Sequence, residues 1–361
     1  MLRTYHKSVI QVEDYKTFML RTKEKIDLQL EDFFRNKMSS NWDSLTSTVV
    51  ETIRDFTLRG GKRLRPILMV LGHNLFADEN DKIVKASISM ELTQTYLLIH
   101  DDIMDQSDLR RGMPSFHVDI RNRLNLTHDD AQRLSENLAI VAGDLADSYS
   151  HQALFDAGFG SEETLKASVE LSRIIETTGY GQLLDVYSSI HDSFVQNDLM
   201  RLHLWKTAKY TIEGPLVLGA LLSGTKKDFS YLSHYGYLLG VAFQLHDDIL
   251  GLFGEEKQTG KSIKGDVNEG KKTLLMIKAM ERSGDSEREF IRKCLASGNV
   301  SDNDFRRLQE LVKSTGSLDY SRDVMRKLVS RSKDYVRKMD GNSEIKGFLE
   351  WFADYIIQRQ N

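Results

Sequence analysis

The tetrapeptide His-Asp-Asp-Ile occurs twice, at His100-Asp101-Asp102-Ile103 and His246-Asp247-Asp248-Ile249, and each copy closes an apolar stretch. Tyr96-Leu97-Leu98-Ile99 leads into the first; Val241, Ala242, Phe243 and Leu245 surround the second. Paired carboxylates at the end of a core-facing segment are costly unless something offsets their charge. A divalent cation does so most simply. Mg2+ takes hard oxygen ligands, keeps several waters, and is held by one or two carboxylates together with phosphate oxygens. Two such clusters in one chain predict a phosphorylated ligand clamped through metal ions between two helices.

The rest of the chain is written for helices. Three prolines among 361 residues, with 28% charged and 40% hydrophobic residues, suit long helices with few breaks. Ile26, Leu28, Leu30, Phe33 and Phe34 predict one apolar stripe, and Leu45, Val49, Ile53 and Phe56 the next. Gly60-Gly61 stops that helix and Pro66 opens another. Further helices are expected over 91–105, 137–155, 164–187, 199–210, 215–222 and 231–250, with a break at Gly214-Pro215. From Gly251 to Lys272 glycines and charges replace the periodicity, which predicts a long functional loop after the second acidic cluster. Charged amphipathic helices follow from Thr273 onward. No alternating strand pattern and no internal repeat is present, so the expected class is all-α.

Several function classes drop out. A formal net charge of −4 gives no basic field for nucleic acid. The single cysteine, Cys294, excludes an intramolecular disulfide and a cysteine-based zinc site. The longest small-and-apolar run, from Gly214 to Gly224, is about half of the ~20 residues a spanning helix needs. Lys7, Glu13 and Asp14 interrupt the apolar core a signal peptide would require. A soluble cytoplasmic protein is expected.

Asp101 and Asp105 stand at i and i+4, on one helix face, with Asp102 beside them. Taken alone they could be a solvated acidic face, but the residues before Asp101 are apolar. Asp247 and Asp248 form a shorter cluster, because Gly251 occupies the fourth position onward. Gly60-Gly61-Lys62-Arg63-Leu64-Arg65-Pro66 places two glycines and three cations before a helix start, a pattern suited to an anion. The GxxxxGK[ST] spacing of a P-loop is missing. Arg110 and Arg111 can fork onto phosphate, and Lys206-Thr207, Lys261 and Lys271 add further donors. Each lone lysine would otherwise read as a surface charge. His100 and His246 are expected to pack or to orient neighbours, because Mg2+ prefers oxygen.

The runs GGKRLRP, DDIMDQSDLRRG, GQLLD (181–185), KTAKY (206–210), FQLHDDILGLFG (243–254) and GKSIKGDVNEGKK (260–272) together resemble the trans-isoprenyl diphosphate synthase (polyprenyl synthetase) family. The signatures run in family order from Gly60 to Lys272; the C-terminal helices of 273–361 carry none. The resemblance implies one all-helical domain over residues 1–361, a single large bundle around a deep central cavity with the two acidic motifs across its mouth. It implies two or three Mg2+ ions on Asp101, Asp102, Asp105, Asp247 and Asp248. Lys62, Arg65, Gln94 and Arg111 match the pocket for isopentenyl diphosphate, although many relatives have histidine at Gln94. Arg110, Lys206, Thr207, Gln244, Lys261 and Lys271 match the allylic diphosphate side, with Lys206 also among the catalytic positions. Gly251 departs from the pattern, which normally ends the second motif in a third aspartate; archaeal-type members show a related departure. The implied chemistry is departure of an allylic diphosphate and attack by the isopentenyl double bond, with the released diphosphate as proton acceptor. A homodimer is the family expectation and agrees with two-fold dimers being the commonest assemblies.

Product length is read from the helix before Asp101. Tyr96 is five residues upstream and Thr93 eight, each residue adding about 1.5 Å of depth. An aromatic five before the motif, Leu97 rather than a second aromatic at four before, and no insertion resemble archaeal-type geranylgeranyl diphosphate synthases. A twenty-carbon product is expected, with fifteen carbons as the alternative. Three other readings compete. A terpene cyclase leaves GGKRLRP and Arg111 unexplained, an HD-type phosphohydrolase needs a further distant histidine, and a non-catalytic partner subunit would lack the aspartate motifs.

Overall fold

The structure is a computed structural model and describes residues 12–40, 42–188, 194–254 and 263–358. Helix α1 (Val12–Met38) buries Ile26, Leu30 and Phe34 at i, i+4 and i+8. Leu28, expected on that stripe, is exposed, because two residues along a helix turn a side chain to the opposite face. Asp43 caps α2 (Ser44–Leu58) by accepting from the backbone N–H groups of Leu45 and Thr46, each at 3.0 Å. Helix α3 (Leu64–Asn74) follows the glycine pair. Its buried neighbour Arg63 ties three elements together: it donates to Asp27 on α1 at 2.7 Å, to the Thr57 carbonyl on α2 at 3.0 Å, and to Glu91.

Glu91 belongs to α4 (Asp81–Met104), a helix buried for most of its length that carries the first acidic motif at its C-terminal end. Next come a two-residue antiparallel ribbon, β1 (Leu109–Arg110) and β2 (Met113–Pro114), and helices α5 (Phe116–Arg123), α6 (Ala131–Phe155) and α7 (Ser161–Ser188). Helix α6 lies along α4.

The chain then runs without interruption through α8 (Gln196–Leu202), a π-helical stretch (His203–Glu213) and α9 (Gly214–Leu222). The break expected at Gly214-Pro215 is not there. Pro215 stands where the π register gives way to α9, as the second residue of that helix. The π stretch is wedged between α7 and α10 (Ser230–Phe253), which carries the second acidic motif. A Cβ on Gly181 of α7 would strike the Lys206 backbone, and one on Gly240 of α10 would strike Ala208.

The loop expected from Gly251 starts later, since α10 continues to Phe253, and Gly265–Asn268 forms a single helical turn, α11. Helices α12 (Leu274–Arg282), α13 (Asp285–Ala296), α14 (Asp302–Ser314), α15 (Ser317–Lys338) and α16 (Ser343–Gln358) complete an all-α fold, with α15 packed along α10. Among the described residues no helix is long and apolar enough to cross a membrane.

Candidate active site

The ends of α4 and α10 open into one cleft of about 700 Å3, lined by Asp101 and Asp105 from the first motif and Asp247 and Asp248 from the second. The i,i+4 spacing does what the helical period requires, putting Asp101 and Asp105 on the same wall. Asp102 differs from the expectation. It is fully buried, stands outside the cleft lining, and accepts from Arg110 through both Nε, at 2.7 Å, and Nη2. Arg110 also stands 3.7 Å from Asp101. One guanidinium therefore braces both adjacent carboxylates. Burial raises the Asp102 carboxyl above the ordinary range in spite of Arg110. Burial and the charge of Asp101 push Asp105 up to about 6, against Lys271 and Lys206.

The ribbon places the two arginines. Leu109 pairs with Pro114 and Arg110 with Met113, leaving Arg111 and Gly112 as a two-residue turn with φ of 55° and 73°. That is the geometry of a type I′ hairpin, which requires positive φ at both positions. Arginine rarely adopts it, and strain of this kind gathers at binding sites. The Arg111 side chain donates to the Gly60 carbonyl and rests on Gly61, where a Cβ would stand 3.3 Å from its Nη1.

Of the three cations in GGKRLRP, Arg63 is structural, Lys62 is exposed and Arg65 faces inward. Arg65 donates to Gln94 at 3.0 Å, Tyr210 at 2.6 Å and Thr211 at 2.9 Å, with its guanidinium 4.1 Å from the Tyr210 ring centroid. Gln94 and Arg111 line a small recess beside the cleft, together with Arg59, Glu91 and Arg110.

The π stretch presents His203, Lys206 and Thr207 to the cleft. Lys206 pairs with Asp185 of α7 and stands 3.4 Å from Asp101. Burial works against its charge, but Asp101 and Asp185 raise its pKa. Thr207 donates to Gln244 at 2.9 Å, and Gln244 donates to Asp248 Oδ1 at 2.9 Å. On the third side Lys271 pairs with Glu269 at 2.5 Å and Asp266 at 3.4 Å, which hold its ammonium charged despite burial. Lys261 lies outside the described residues.

Sequence reasoning gave no role to Asp185, Asp266 or His203, all of which line the cleft. Asp185 and Asp266 lie inside the quoted motif runs, where an acid beside lysines was the available signal. His203 gave none. His100 turns away toward α6, where its Nε2 is 2.9 Å from the Ile140 carbonyl, in keeping with a packing role. Tyr96 is half-buried edge-on to His100 at 5.0 Å, Leu97 is half-buried and Thr93 fully buried; none of the three belongs to the cleft lining.

Among the described residues no three histidine, cysteine, aspartate or glutamate groups converge closely enough to enclose an ion by themselves. Yet Asp248 Oδ2, in the cleft, is buried without a hydrogen-bond partner among those residues, and burial and the charge of Asp101 drive Asp105 toward its protonated form. Such a donor set fits Mg2+ held by a few carboxylates and completed by water and ligand phosphates.

Comparison with known proteins agrees with this geometry. The polyprenyl synthetase family model matches residues 46–312. A geranylgeranyl diphosphate synthase of Sulfolobus acidocaldarius is 32% identical, over 83% of this chain and 88% of the relative. A geranylfarnesyl diphosphate synthase of Aeropyrum pernix is 31% identical, over 92% and 99%. The crystal structure of geranylgeranyl pyrophosphate synthase from Corynebacterium glutamicum, complexed with isoprenyl diphosphate and magnesium, superposes with a TM-score of 0.85 at 30% identity, covering 95% of this chain and 98% of that one. With two acidic helices meeting over one cleft and a family match that spans both, the chain belongs to the polyprenyl synthetase family and is a prenyltransferase.

Proposed function

We propose that this prenyltransferase uses Mg2+ to condense isopentenyl diphosphate with an allylic diphosphate, giving a longer trans-prenyl diphosphate and inorganic diphosphate. The observation that carries the reading is the shared wall: both acidic motifs line one cleft with Arg110, Arg111, Lys206 and Lys271. Mg2+ on these carboxylates, in two or three copies, would supply charge neutralisation to the departing diphosphate. Arg110, Lys206, Thr207, Gln244, Lys261 and Lys271 are assigned to the allylic diphosphate, and Lys62, Arg65, Gln94 and Arg111 to isopentenyl diphosphate. Prepositioned cations stabilise charge as it develops on the leaving oxygens. As the allylic C–O bond breaks, the isopentenyl double bond provides the electron pair of the new C–C bond. One proton then leaves the adjoining carbon, and the released diphosphate accepts it.

Incubation with both diphosphates and Mg2+ is expected to yield inorganic diphosphate and a chain longer by five carbons, and a chelator should stop both. Asp101→Ala and Asp247→Ala should each lower kcat/KM about a hundredfold or more, with helix content by circular dichroism unchanged. Diphosphate release from the allylic substrate alone, without chain growth, would instead support a cyclase or phosphohydrolase.

The proposed product has twenty carbons, with Tyr96 as the floor of the tail channel and Leu97 and Thr93 beside it. Of the two relatives named above, one is named for a twenty-carbon and the other for a twenty-five-carbon product, and neither is a fifteen-carbon synthase. A homodimer is supported by the exposed apolar faces of the neighbouring helices α6 and α7, which include Val141, Phe155, Leu165, Leu183, Val186 and Tyr187. One hydrophobic core joins residues from α1 through α16, which supports a single domain, and a cytoplasmic location fits a chain with no described spanning helix.

A further inference from the structure

His203 is a buried imidazole with no role in the chemistry above. It opens the π-helical stretch, is 3% exposed, and lines the cleft one turn before Lys206 and Thr207. Neither ring nitrogen has a hydrogen-bond partner among the described residues. The facing atom is Asp248 Oδ2, also buried and unpartnered, and Nε2 lies 3.2 Å from it without hydrogen-bond alignment. Two orphaned polar groups in reach of one another are costly in the resting protein, and an aliphatic residue at 203 would remove the imidazole's share of that cost. The arrangement marks a contact that forms when the cleft fills, since hydrogen bonds in unliganded sites are often poorly aligned.

We infer that His203 is a positioning residue for the second acidic motif, closing on Asp248 Oδ2 when metal and diphosphate bind. Asp248 Oδ1 is already held by Gln244, which Thr207 holds in turn. His203 completes the set, so that the π stretch fixes both oxygens of one carboxylate, Oδ2 directly through His203 and Oδ1 through Thr207 and Gln244. Gly251 leaves Asp248 as the last carboxylate of its motif, and no third acid on that helix turn constrains it. The i,i+4 spacing suits the task, because it brings residues 203 and 207 to the same carboxylate–amide pair. Partners that orient a metal-binding group typically change metal affinity tenfold to a hundredfold when removed.

The inference rests on the proposed metal–diphosphate clamp, and the test separates the two. Melting temperatures of the full-length wild type, His203→Leu, His203→Gln and His203→Asn are measured alone and with saturating Mg2+ plus inorganic diphosphate. The Mg2+ concentration for half-maximal prenyl transfer is measured alongside. His203→Leu should melt no lower than wild type when unliganded, gain less from Mg2+ and diphosphate, and need about tenfold more Mg2+. His203→Gln, whose amide nitrogen reaches the place of Nε2, should restore the Mg2+ requirement, and the shorter His203→Asn should not. A His203→Leu protein with a wild-type Mg2+ requirement, or one that fails to fold while Gln and Asn behave alike, overturns the assignment. A wild type that gains no stability from Mg2+ and diphosphate overturns the clamp, and the inference with it.

Discussion

The carboxylate of Asp266 occupies the space that a side chain on Gly251 would fill: a Cβ built on Gly251 runs into Asp266 Oδ2. The glycine that interrupts the second acidic motif thus lets an acid from α11 reach α10, and that acid holds Lys271 at 3.4 Å in the cleft. Gly251→Ala separates stability from function here. Alanine favours a helix over glycine by roughly 0.5–1 kcal/mol, and the atom in its way is the far end of a side chain, which can swing aside. Melting temperature should hold or rise slightly, while Asp266 and Lys271 lose their arrangement. Activity with the allylic substrate should fall about tenfold. A stable variant with unchanged kcat/KM would mean that the contact is incidental.

The first acidic motif carries its own pH signature. Asp105 is lifted from 3.8 to about 6 by burial and by Asp101. A carboxyl whose folded value is raised contributes stability below its unfolded value and loses that contribution as pH rises through the folded value. The metal-free protein should therefore lose melting temperature between about pH 4 and pH 6 on account of Asp105, and Asp105→Asn should flatten that part of the profile. Thermal melts in chelator across this range make the measurement. A profile identical in the two proteins would show that Asp105 ionises without cost.

The chain announces part of this site and hides the rest for definable reasons. Asp101 and Asp105 share a wall because the helical period compels it, and the glycine pair stops α2 where glycine freedom permits. The burial of Asp102 was not legible: it depends on a hairpin that returns Arg110 across the end of α4. Nor was the split among Lys62, Arg63 and Arg65 visible in composition, since Arg63 is claimed by Asp27 and Glu91 from distant helices. The π register of His203–Glu213 was not legible either; in the fold, α7 and α10 approach that stretch closely at Gly181 and Gly240. Periodicity reports a helix; it does not report the wider π turn that carries Lys206 and Thr207.

Arg65 and Lys206 sit in different surroundings, and this should separate the two substrates. Arg65 is held by Gln94, Tyr210 and Thr211 behind the hairpin, while Lys206 spans Asp101 and Asp185 in the cleft. Loss of one charged hydrogen-bonding group costs about 1.5–3 kcal/mol, or roughly tenfold to a hundredfold. Arg65→Ala should raise KM for isopentenyl diphosphate by about that factor and spare the allylic substrate. Lys206→Ala should do the reverse and also lower kcat. Steady-state kinetics with each substrate varied in turn decides the matter; equal shifts on both substrates from both variants would sink the assignment.

Tyr96 is the proposed floor of the tail channel. Five residues before Asp101 on α4, it lies about 7.5 Å along the axis from the acidic end. Its ring is half-buried, edge-on to His100 with centroids 5.0 Å apart, and burial raises the phenol's pKa, with Asp147 and Asp144 adding to the effect. On this proposal the ring stops a growing chain by its volume. Tyr96→Ala removes the volume and leaves His100 attached to the Ile140 carbonyl at 2.9 Å, so the acidic motif keeps its anchor. The variant should retain turnover and shift its products from twenty toward twenty-five carbons and beyond. Leu97→Phe, which adds a ring one residue nearer Asp101, should shift them toward fifteen. Chromatography of the dephosphorylated products reads both outcomes, and a Tyr96→Ala distribution identical to wild type would place the floor at another residue.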